Sequence, residues 1–359
     1  MSPTITPPTD PSSASSSSSA LSSAVPSAST GRSSGVWSDP AAVALALELL
    51  GDLAVADGPL GARTTYRVGG PGAVVATVHG VEHVLRVIDA ARRSGLPILP
   101  VGRGSNLLVA DRGFDGIAVV LGEGMSEVVF ADTSSAASTS AGPTVTAGGA
   151  TSLPVLARKT VAAGYSGLEW AVGVPGTVGG AVRMNAGGHG SDTSLLVRSA
   201  RIVSVDSDLA IPEVVTLTNQ DLQFGYRHST LTDRDIVIDA TFELSAGDPA
   251  AGSLELNEIV RWRREHQPGG QNAGSVFVNP GGASAGAIIE ELGLKGHRVG
   301  TAEVSNKHAN FIQADVGGSA DDVLALMRDV ADRVRIATGH ELRTEIRTVG
   351  FSRATGLES

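Results

Sequence analysis

Residues 167–190 read G-L-E-W-A-V-G-V-P-G-T-V-G-G-A-V-R-M-N-A-G-G-H-G. Glycine lacks a Cβ, so it permits positive φ and lets other groups approach the backbone closely. A run of turns and β-bulges also needs glycine, and for any single glycine of this stretch that is the simpler interpretation. The whole run, with Pro175 inside it, instead predicts a backbone that turns tightly and lies flat against a bulky planar ligand.

Composition restricts the classes of function. The chain has 359 residues, 42% of them apolar and 18% charged, which is typical of a globular protein with a sizeable core. Its formal net charge of −10 argues against a nucleic-acid or anionic-membrane partner, although a local basic pocket is compatible with it. Cysteine is absent, so disulfides, thiolate metal sites and cysteine nucleophiles are excluded.

The N-terminal 40 residues are dominated by Ser, Pro, Thr and Ala and lack the pattern of a secretory signal, so we expect a disordered tail. Asp39 as N-cap and Pro40 at the first helical position predict a short helix over Ala41–Leu47. This apolar run is too short to span a bilayer. The folded part is expected to begin near Ala62.

A βαβ unit is predicted next. Strand Val74–Val78 precedes helix Val81–Ser94, whose apolar residues recur at helical spacing, and strand Ile98–Val101 follows. This strand leads into G-R-G-S-N at 102–106, where several backbone amides can face one anion such as a diphosphate. Leu107 occupies the position of the third glycine of G-x-G-x-x-G, so the loop is not a standard dinucleotide fingerprint.

A match to a zinc-binding motif at residues 79–83 does not predict a metal site. His79, Glu82 and His83 satisfy the H-x-x-E-H pattern of zinc peptidases. Gly80 places the first histidine at the junction of strand and helix, whereas zinc ligation requires both histidines inside a long helix. We therefore expect no metal site.

The rest of the chain is predicted to alternate short strands and helices, with one long loop and one linker between them. The Ser/Ala/Thr tract Thr133–Ala141 is predicted to be a flexible surface loop and Ser245–Gly252 a linker. In the final strand, Leu342 and Ile346 should face one way and Arg343, Glu345 and Arg347 the other. The predicted strands are 144–147, 201–205, 214–217, 236–244, 310–314 and 341–349, and the predicted helices are 153–163, 254–264, 285–292 and 320–337.

Five motifs in this order resemble the UDP-N-acetylenolpyruvoylglucosamine reductases, the MurB family, over about Arg63 to Gly350. They are G-R-G-S-N-L-L-V (102–109), G-V-P-G-T-V-G-G-A-V-R-M-N-A-G (173–187), F-G-Y-R-H-S (224–229), A-G-S-V-F-V-N-P (273–280) and E-I-R-T-V-G (345–350). The short connection after Tyr226 resembles the compact type that lacks an extra substrate-covering loop.

The resemblance implies an α+β fold. A two-lobed FAD-binding domain of the vanillyl-alcohol-oxidase (PCMH) type is expected over 62–247, with subdomains of about 62–117 and 118–247. A C-terminal α+β domain for substrate is expected over 248–352. The remaining segments would be the tail 1–40, a helix and lead-in at 41–61, and a tail at 353–359.

The resemblance also implies an activity, namely the NADPH-dependent, FAD-mediated reduction of UDP-N-acetylenolpyruvoylglucosamine to UDP-N-acetylmuramate. This is a step of peptidoglycan precursor synthesis, so a cytoplasmic enzyme serving cell-wall biogenesis, cell shape and division is expected. FAD should be bound noncovalently, since no cysteine is present and the family holds flavin through glycine-loop amides. No nucleic-acid partner and no membrane insertion are expected.

Roles for individual residues follow from the same resemblance. Arg227 matches the arginine that stabilises the enolate, Ser275 the proton donor and Glu345 the third catalytic residue. Substrate contacts are implied for Tyr226, for Asn279 and for His266, where the family usually has a lysine and a partly charged histidine leaves the role open. The cofactor residues implied are Gly102, Gly104, Ser105, Asn106, Gly173, Pro175, Gly176, Thr177, Gly179, Gly180, Asn185, Arg263 and Arg347.

Simpler interpretations exist for each catalytic residue taken singly. Arg227 could clamp a loop, Ser275 could cap a turn after Gly274, and Glu345 could be one charge on a polar strand face. Two other functions share the glycine loops. A flavin oxidase of the same superfamily would use oxygen in place of NADPH, and a non-catalytic flavin- or nucleotide-sugar-binding protein would lose the acid and the arginine.

Overall fold

The computed structural model describes residues 39–131, 142–206 and 212–352. Residues 1–38 of the predicted tail 1–40, the predicted tail 353–359 and the predicted loop Thr133–Ala141 lie outside these described residues. Residues 39 and 40 were wrongly assigned to the tail, since they cap and begin the first helix. The α-helices are α1 (Pro40–Leu50), α2 (Val81–Ser94), α3 (Leu153–Ala162), α4 (Val178–Met184), α5 (Asn219–Leu222), α6 (Pro249–His266), α7 (Ala285–Glu291) and α8 (Ala320–Thr338).

The strands range from two to nine residues in length. They are β1 (Ala54–Gly58), β2 (Gly72–Val78), β3 (Ile98–Val101), β4 (Leu107–Val109), β5 (Phe114–Leu121), β6 (Val128–Phe130), β7 (Thr144–Gly148), β8 (Tyr165–Ser166), β9 (Gly187–Gly188), β10 (Ser191–Asp192), β11 (Val197–Ser204), β12 (Val215–Thr218), β13 (Asp235–Glu243), β14 (Ser245–Ala246), β15 (Arg298–Val299), β16 (Ala302–Val304), β17 (Ile312–Ala314) and β18 (Arg347–Val349).

The first helix belongs to the folded core. The Asp39 carboxylate accepts a hydrogen bond from the Ala41 amide at 2.9 Å, as its predicted N-cap role requires. Helix α1 continues three residues past the predicted end and buries Ala46 and Leu50 completely. Strand β1, which sequence reasoning missed, pairs with β2. The prediction that the folded part begins near Ala62 is therefore wrong.

The first sheet has the strand order β1-β2-β5-β3. Strands β2, β3 and α2 form where they were predicted, but β5 lies between β2 and β3 and is parallel to both. The loop after β3 thus begins at the carboxyl end of parallel strands, where α/β sheets commonly bind ligands. This loop is the predicted anion-binding segment 102–106.

The second sheet is antiparallel, with the order β12-β11-β13-β7-β6. The glycine-rich stretch packs against it and contains more than turns. Residues Glu169–Gly173 form a 3₁₀ helix, and α4 follows with Thr177 as N-cap. Helix α4 escaped prediction because two of its seven residues are glycine, the weakest helix former after proline.

The predicted linker Ser245–Gly252 is instead part of the folded structure. Residues 245–246 form β14, and Asp248 caps α6 by accepting from the Ala250 amide at 3.0 Å, so α6 begins five residues before the predicted start. Leu256 and Ile259 of α6 join the core formed by α3, the 3₁₀ helix and the second sheet. Helix α6 therefore packs on the part of the chain that precedes the boundary predicted at residue 248.

A further core is formed mainly by the C-terminal part, including Val276, Phe277 and one face of α8, and it also takes in Tyr66 and Leu108 from the first part of the chain. The last segment of the C-terminal part pairs back onto the first part of the chain, because β18 lies parallel to β4 with Arg347 opposite Leu107. The predicted strand 341–349 is regular only over β18. The predicted alternation is confirmed nevertheless, since Leu342 and Ile346 are buried.

Asp111, in the loop after β4, caps a helix more than 200 residues away. Its carboxylate accepts from the Ala320 amide at 2.9 Å and the Asp321 amide at 3.1 Å, and it also contacts the Ser319 hydroxyl. These are orphan donors of the first turn of α8, whose partial positive charge favours a carboxylate.

Replacing Asp111 by Ala should lower the free energy of unfolding by about 1–2 kcal/mol, the usual value of a helix cap. Urea denaturation at fixed, saturating FAD would measure the loss. Asp52→Ala is the control, since the Asp52 side chain is 92% exposed and its nearest cation lies 3.8 Å away. Equal stability of the two variants would contradict a capping role for Asp111.

Candidate active site

One cleft collects most of the residues predicted to act together. It is bordered by the loop after β3, the end of the 3₁₀ helix, α4, the end of α6 and the segment before β18. The three predicted catalytic residues line it with eleven of the predicted cofactor residues: Arg227, Ser275, Glu345, Gly102, Gly104, Ser105, Asn106, Gly173, Pro175, Gly176, Thr177, Gly180, Arg263 and Arg347.

The cleft is cationic although the chain is acidic. Among the described residues, five arginines and one carboxylate line it: Arg103, Arg183, Arg227, Arg263, Arg347 and Glu345. Burial lowers the pKa of Arg263 and of Arg347, the latter to about 10, and both stay charged at neutral pH. The net charge of the whole chain is −10, so this concentration of positive charge suits an anionic ligand.

Arg227 sits on a tight turn that holds it in an unusual conformation. Gly225 and His228 exchange two backbone hydrogen bonds across the turn, at 3.0 and 3.2 Å. Arg227 has a φ of +52°, in the left-handed region that residues with a side chain rarely adopt. Such strain persists where the surroundings impose it, often at functional sites.

Asn185 supplies part of that constraint. Its amide nitrogen donates to the Gly225 carbonyl at 2.9 Å, and its amide oxygen accepts from the Ser194 amide at 2.9 Å. The residue is buried and does not line the cleft. In the structure Asn185 anchors the turn that carries Tyr226 and Arg227, and its predicted contact with the cofactor stays a prediction.

Glu345 joins the two residues of that turn. The Tyr226 hydroxyl donates to one of its oxygens at 2.8 Å, and the Arg227 Nε donates to the other at 3.4 Å. The Glu345 side chain is only 11% exposed, so its charge is poorly screened by water. Desolvation of the hydroxyl raises the pKa of Tyr226, and the hydrogen bond and charge of Glu345 raise it further against the effect of Arg227.

Ser275 is positioned through its backbone neighbours. Val276 donates its amide to the Asn310 carbonyl at 2.9 Å, and its own carbonyl accepts from the Glu345 amide at 2.8 Å. The buried Asn310 side chain binds both backbone groups of Phe277, at 2.9 and 2.8 Å. The hydrogen bond between Val276 and Glu345 therefore brings the segment of Ser275 beside that of Glu345, and Asn310 holds the Ser275 segment from a third part of the chain.

Three other predicted residues lie apart from the cleft lining. Gly179 packs on the backbone of Gly149. The Asn279 amide oxygen accepts a hydrogen bond from the Ala285 amide at 2.9 Å and so caps α7. The His266 ring stacks on that of Trp262, with the ring centroids 4.7 Å apart. Tyr226 also falls outside the lining but reaches it through Glu345.

Sequence reasoning missed several residues that line the cleft, among them Arg103, Arg183, Met184, Gln267 and Phe311. Arg103 lies inside a quoted loop, so its place in the motif was a usable signal. Gln267 follows Arg263 by one helical turn, and its side-chain oxygen accepts a hydrogen bond from Arg263 Nε at 2.7 Å. Arg183 also lies inside a quoted motif, 173–187, but its position there was given no role.

Gly176 and Gly180 leave open space beside the backbone of the cleft. A Cβ added at Gly180 would lie 3.7 Å from its nearest protein atom, and one at Gly176 would lie 3.6 Å away, both ordinary contacts. The protein itself therefore does not require glycine there. Both positions line the cleft, so the open space suits a cofactor that contacts the backbone closely.

Two kinds of feature are absent from the described residues. Within residues 39–131, 142–206 and 212–352, no helix is both long and apolar enough to cross a membrane. The same residues contain no group of three or more His, Cys, Asp or Glu side chains arranged to hold a metal ion. The His79–His83 pair is instead joined by a hydrogen bond from the His79 amide to His83 Nδ1 at 3.2 Å.

Comparison with known proteins gives two family matches. Residues 266–349 match the family described as UDP-N-acetylenolpyruvoylglucosamine reductase, C-terminal domain, and residues 71–210 match an FAD-binding domain family. The start of the first match agrees with a domain boundary at the end of α6.

Whole-chain relatives agree with these matches. The chain is 40% identical to a UDP-N-acetylenolpyruvoylglucosamine reductase of Heliobacterium modesticaldum, covering 82% of this chain and 90% of that protein. It is 39% identical to the enzyme of that name from Anoxybacillus flavithermus, covering 81% and 92%. The crystal structure of the Thermus caldophilus reductase is similar with a TM-score of 0.66, 32% identity and coverage of 82% and 98%.

Alanine substitutions at the neighbouring glycines of α4 should affect FAD affinity and apoprotein stability differently. Gly180→Ala should leave the apoprotein as stable as before, or more stable by about 0.5–1 kcal/mol, since alanine favours the helix. It should weaken FAD binding, because the new methyl group enters the cleft. Flavin fluorescence on titration and apoprotein denaturation measure the two effects.

Gly179→Ala is the matched control. Its Cβ would lie 3.1 Å from the Gly149 carbonyl oxygen, so it should destabilise the apoprotein by about 1–3 kcal/mol, as overpacking does. If Gly180→Ala lost stability and kept its FAD affinity, the assignment of Gly180 to the cofactor surface would be wrong.

Glu345→Gln should lower the pKa of Tyr226, because it removes the negative charge that opposes tyrosinate formation. The ultraviolet absorbance of tyrosinate, followed against pH, measures this. The same titrations on Tyr226→Phe variants of both proteins isolate Tyr226 from Tyr66 and Tyr165. An unchanged or higher pKa in Glu345→Gln would refute the contact.

Proposed function

The chain belongs to the UDP-N-acetylenolpyruvoylglucosamine reductase family, and we propose that Arg227, Ser275 and Glu345 carry its reaction. The protein is an FAD-dependent oxidoreductase that reduces UDP-N-acetylenolpyruvoylglucosamine to UDP-N-acetylmuramate in peptidoglycan precursor synthesis, with NADPH as the reductant. One observation carries the residue proposal: these three side chains, distant in sequence, line the same cationic cleft.

FAD would be held by the backbone of 102–106 and 173–180, with Arg263 and Arg347 beside it. Two features support this part of the proposal, namely the open space at Gly176 and Gly180 and the matched FAD-binding family. When bound and reduced by NADPH, this cofactor supplies a hydride to the enolpyruvyl group. Lacking cysteine, the chain offers no thiol for covalent attachment, so binding is proposed to be noncovalent.

Arg227 then has an electrostatic role. Hydride addition at the terminal carbon of the enolpyruvyl group places negative charge on the neighbouring carbon and its carboxylate. A guanidinium fixed by the turn at 225–228 stabilises that charge without reorganising during the reaction. Glu345 orients Arg227 through their 3.4 Å contact and holds Tyr226 by its 2.8 Å hydrogen bond.

Ser275 is proposed as the proton donor to the enolate carbon. A serine hydroxyl is a weak acid, yet an enolate carbon is a strong enough base for a well-placed hydroxyl. The support is positional, since Ser275 lines the cleft and Gly274 before it has a φ of +82°, a turn that presents the next side chain. The backbone link through Val276 keeps Ser275 near Glu345.

The domain assignment is proposed with two changes. Residues 40–266 would form the FAD-binding part, including α1, β1 and α6, and 267–352 the substrate part that contributes Ser275 and Glu345. Substrate contacts for Tyr226, His266 and Asn279 remain proposals, and the outward stacking of His266 on Trp262 favours a place at the rim for that residue.

A cytoplasmic location and a contribution to cell shape and division are proposed from the reaction itself. Their support on this chain is compositional, because a protein without cysteine suits a reducing compartment. The flavin-oxidase and non-catalytic alternatives lose their support, since the matched relatives are reductases over more than 80% of the chain.

Ser275→Ala tests the proposal by separating the two half-reactions. Reduction of the bound flavin by NADPH should be nearly unchanged, since it needs no proton from Ser275. Reoxidation by UDP-N-acetylenolpyruvoylglucosamine should slow by about 10²–10⁴-fold, the usual contribution of a positioned general acid. Stopped-flow absorbance of the flavin measures both.

Ser253→Ala is the control, because Ser253 lies on the exposed side of α6 and bonds only within its own helix, to the Pro249 carbonyl. It should leave both half-reactions unchanged. Equal slowing of both halves in Ser275→Ala would indicate a structural role at the flavin site, and unchanged reoxidation would remove Ser275 from the mechanism.

A further inference from the structure

Arg183 is a cleft residue to which neither the motifs nor the reaction assign a role. It lies in the last turn of α4, three residues after Gly180, so the two share one face of the helix. Both line the cleft. A cationic side chain therefore stands one turn along from the backbone surface assigned to the cofactor.

Arg183 shares one carboxylate with Arg347. Asp233 contacts the Arg347 guanidinium directly through one oxygen, whereas its other oxygen lies 3.7 Å from Arg183. That distance is too long for a hydrogen bond. The carboxylate of Asp235, the other negative charge acting on Arg183, accepts from the amide and hydroxyl of Thr232 at 2.6 and 2.9 Å.

Arg183 is thus partly desolvated and incompletely paired. Its Nε is buried and has no hydrogen-bond partner in the part of the chain that the structure describes. Burial lowers the pKa of Arg183, and the charge of Asp235 offsets this in part. A guanidinium in such surroundings costs free energy, and an anionic ligand in the cleft that Arg183 lines would offset part of that cost.

We propose that Arg183 binds an anionic, phosphate-type group of the ligand in this cleft, and that Asp233 orients Arg183 and Arg347 toward it. The inference rests on the proposed placement of the cofactor. FAD is the favoured source of the group because Arg183 and Gly180 share a face of α4. NADPH and the UDP-sugar carry the same diphosphate chemistry.

Arg183→Met tests this, since it keeps the length of the side chain and removes the charge and donors. FAD release from the diluted holoenzyme, followed by flavin fluorescence, should be faster by about 10-fold or more, as expected for loss of a charged hydrogen bond. Arg183→Lys, which keeps the charge without the planar fork, should fall between wild type and Arg183→Met.

The control is Arg234→Met, because Arg234 follows Asp233 directly and is paired with Asp206 on the surface. It should match wild type in FAD release, in both KM values and in melting temperature. If Arg183→Met instead leaves FAD release unchanged and raises only the KM for NADPH or only that for the UDP-sugar, the same anion site holds that ligand's phosphates.

Two results would overturn the inference. One is that Arg183→Met matches wild type in FAD release and in both KM values. The other is that the losses of Arg183→Met simply follow a lower melting temperature and are not recovered in Arg183→Lys. If Arg183→Met does not fold, faster FAD release from a normally folded Arg183→Gln decides the question.

Failure of the proposed function would look different, since wild-type protein would then not turn over the UDP-sugar at all.

Discussion

The structure depends on keeping five guanidinium groups at one cleft. Like charges in a poorly hydrated place repel each other and resist burial. Two carboxylates relieve this in part: Glu345 is paired with Arg227, and Asp233 is shared between Arg183 and Arg347. The remaining positive charge is left for a ligand, which explains how a chain of net charge −10 can bind diphosphates.

The pairing of β18 with β4 fixes where these charges meet. Arg347 donates its amide to the Asn106 carbonyl at 3.0 Å, and the Asn106 side chain donates to the Glu345 carbonyl at 3.0 Å. The anion-binding loop and the charged segment before β18 are thus held in one register. The C-terminal part is fixed a second time by Asp111 at the start of α8. The loop 102–106 and Glu345 are consequently held beside each other by direct hydrogen bonds.

The glycine-rich stretch performs two different tasks within one short helix. Gly180 leaves open space at the cleft, whereas Gly179 lets α4 approach the backbone of Gly149. A sequence motif contains only the letter G at both positions, so it does not tell which glycine contacts a ligand and which one allows close packing. Asn185, at the end of the same helix, shows the same division, because it stabilises the strained turn that presents Arg227 and is not itself part of the cleft.

The sequence by itself determined the features that depend on local chemistry and on motif order. Helix α2 and the cap of α1 follow from periodicity and capping residues, the lack of cysteine excludes thiol chemistry, and five motifs predict the cofactor loops and the three cleft residues Arg227, Ser275 and Glu345. Tertiary structure decided the long-range features: the extent of α6, the pairing of β18 with β4, and the sharing of Asp233 by Arg183 and Arg347. Residue 233 lies 50 positions from one arginine and 114 from the other, so no local pattern could encode their contact.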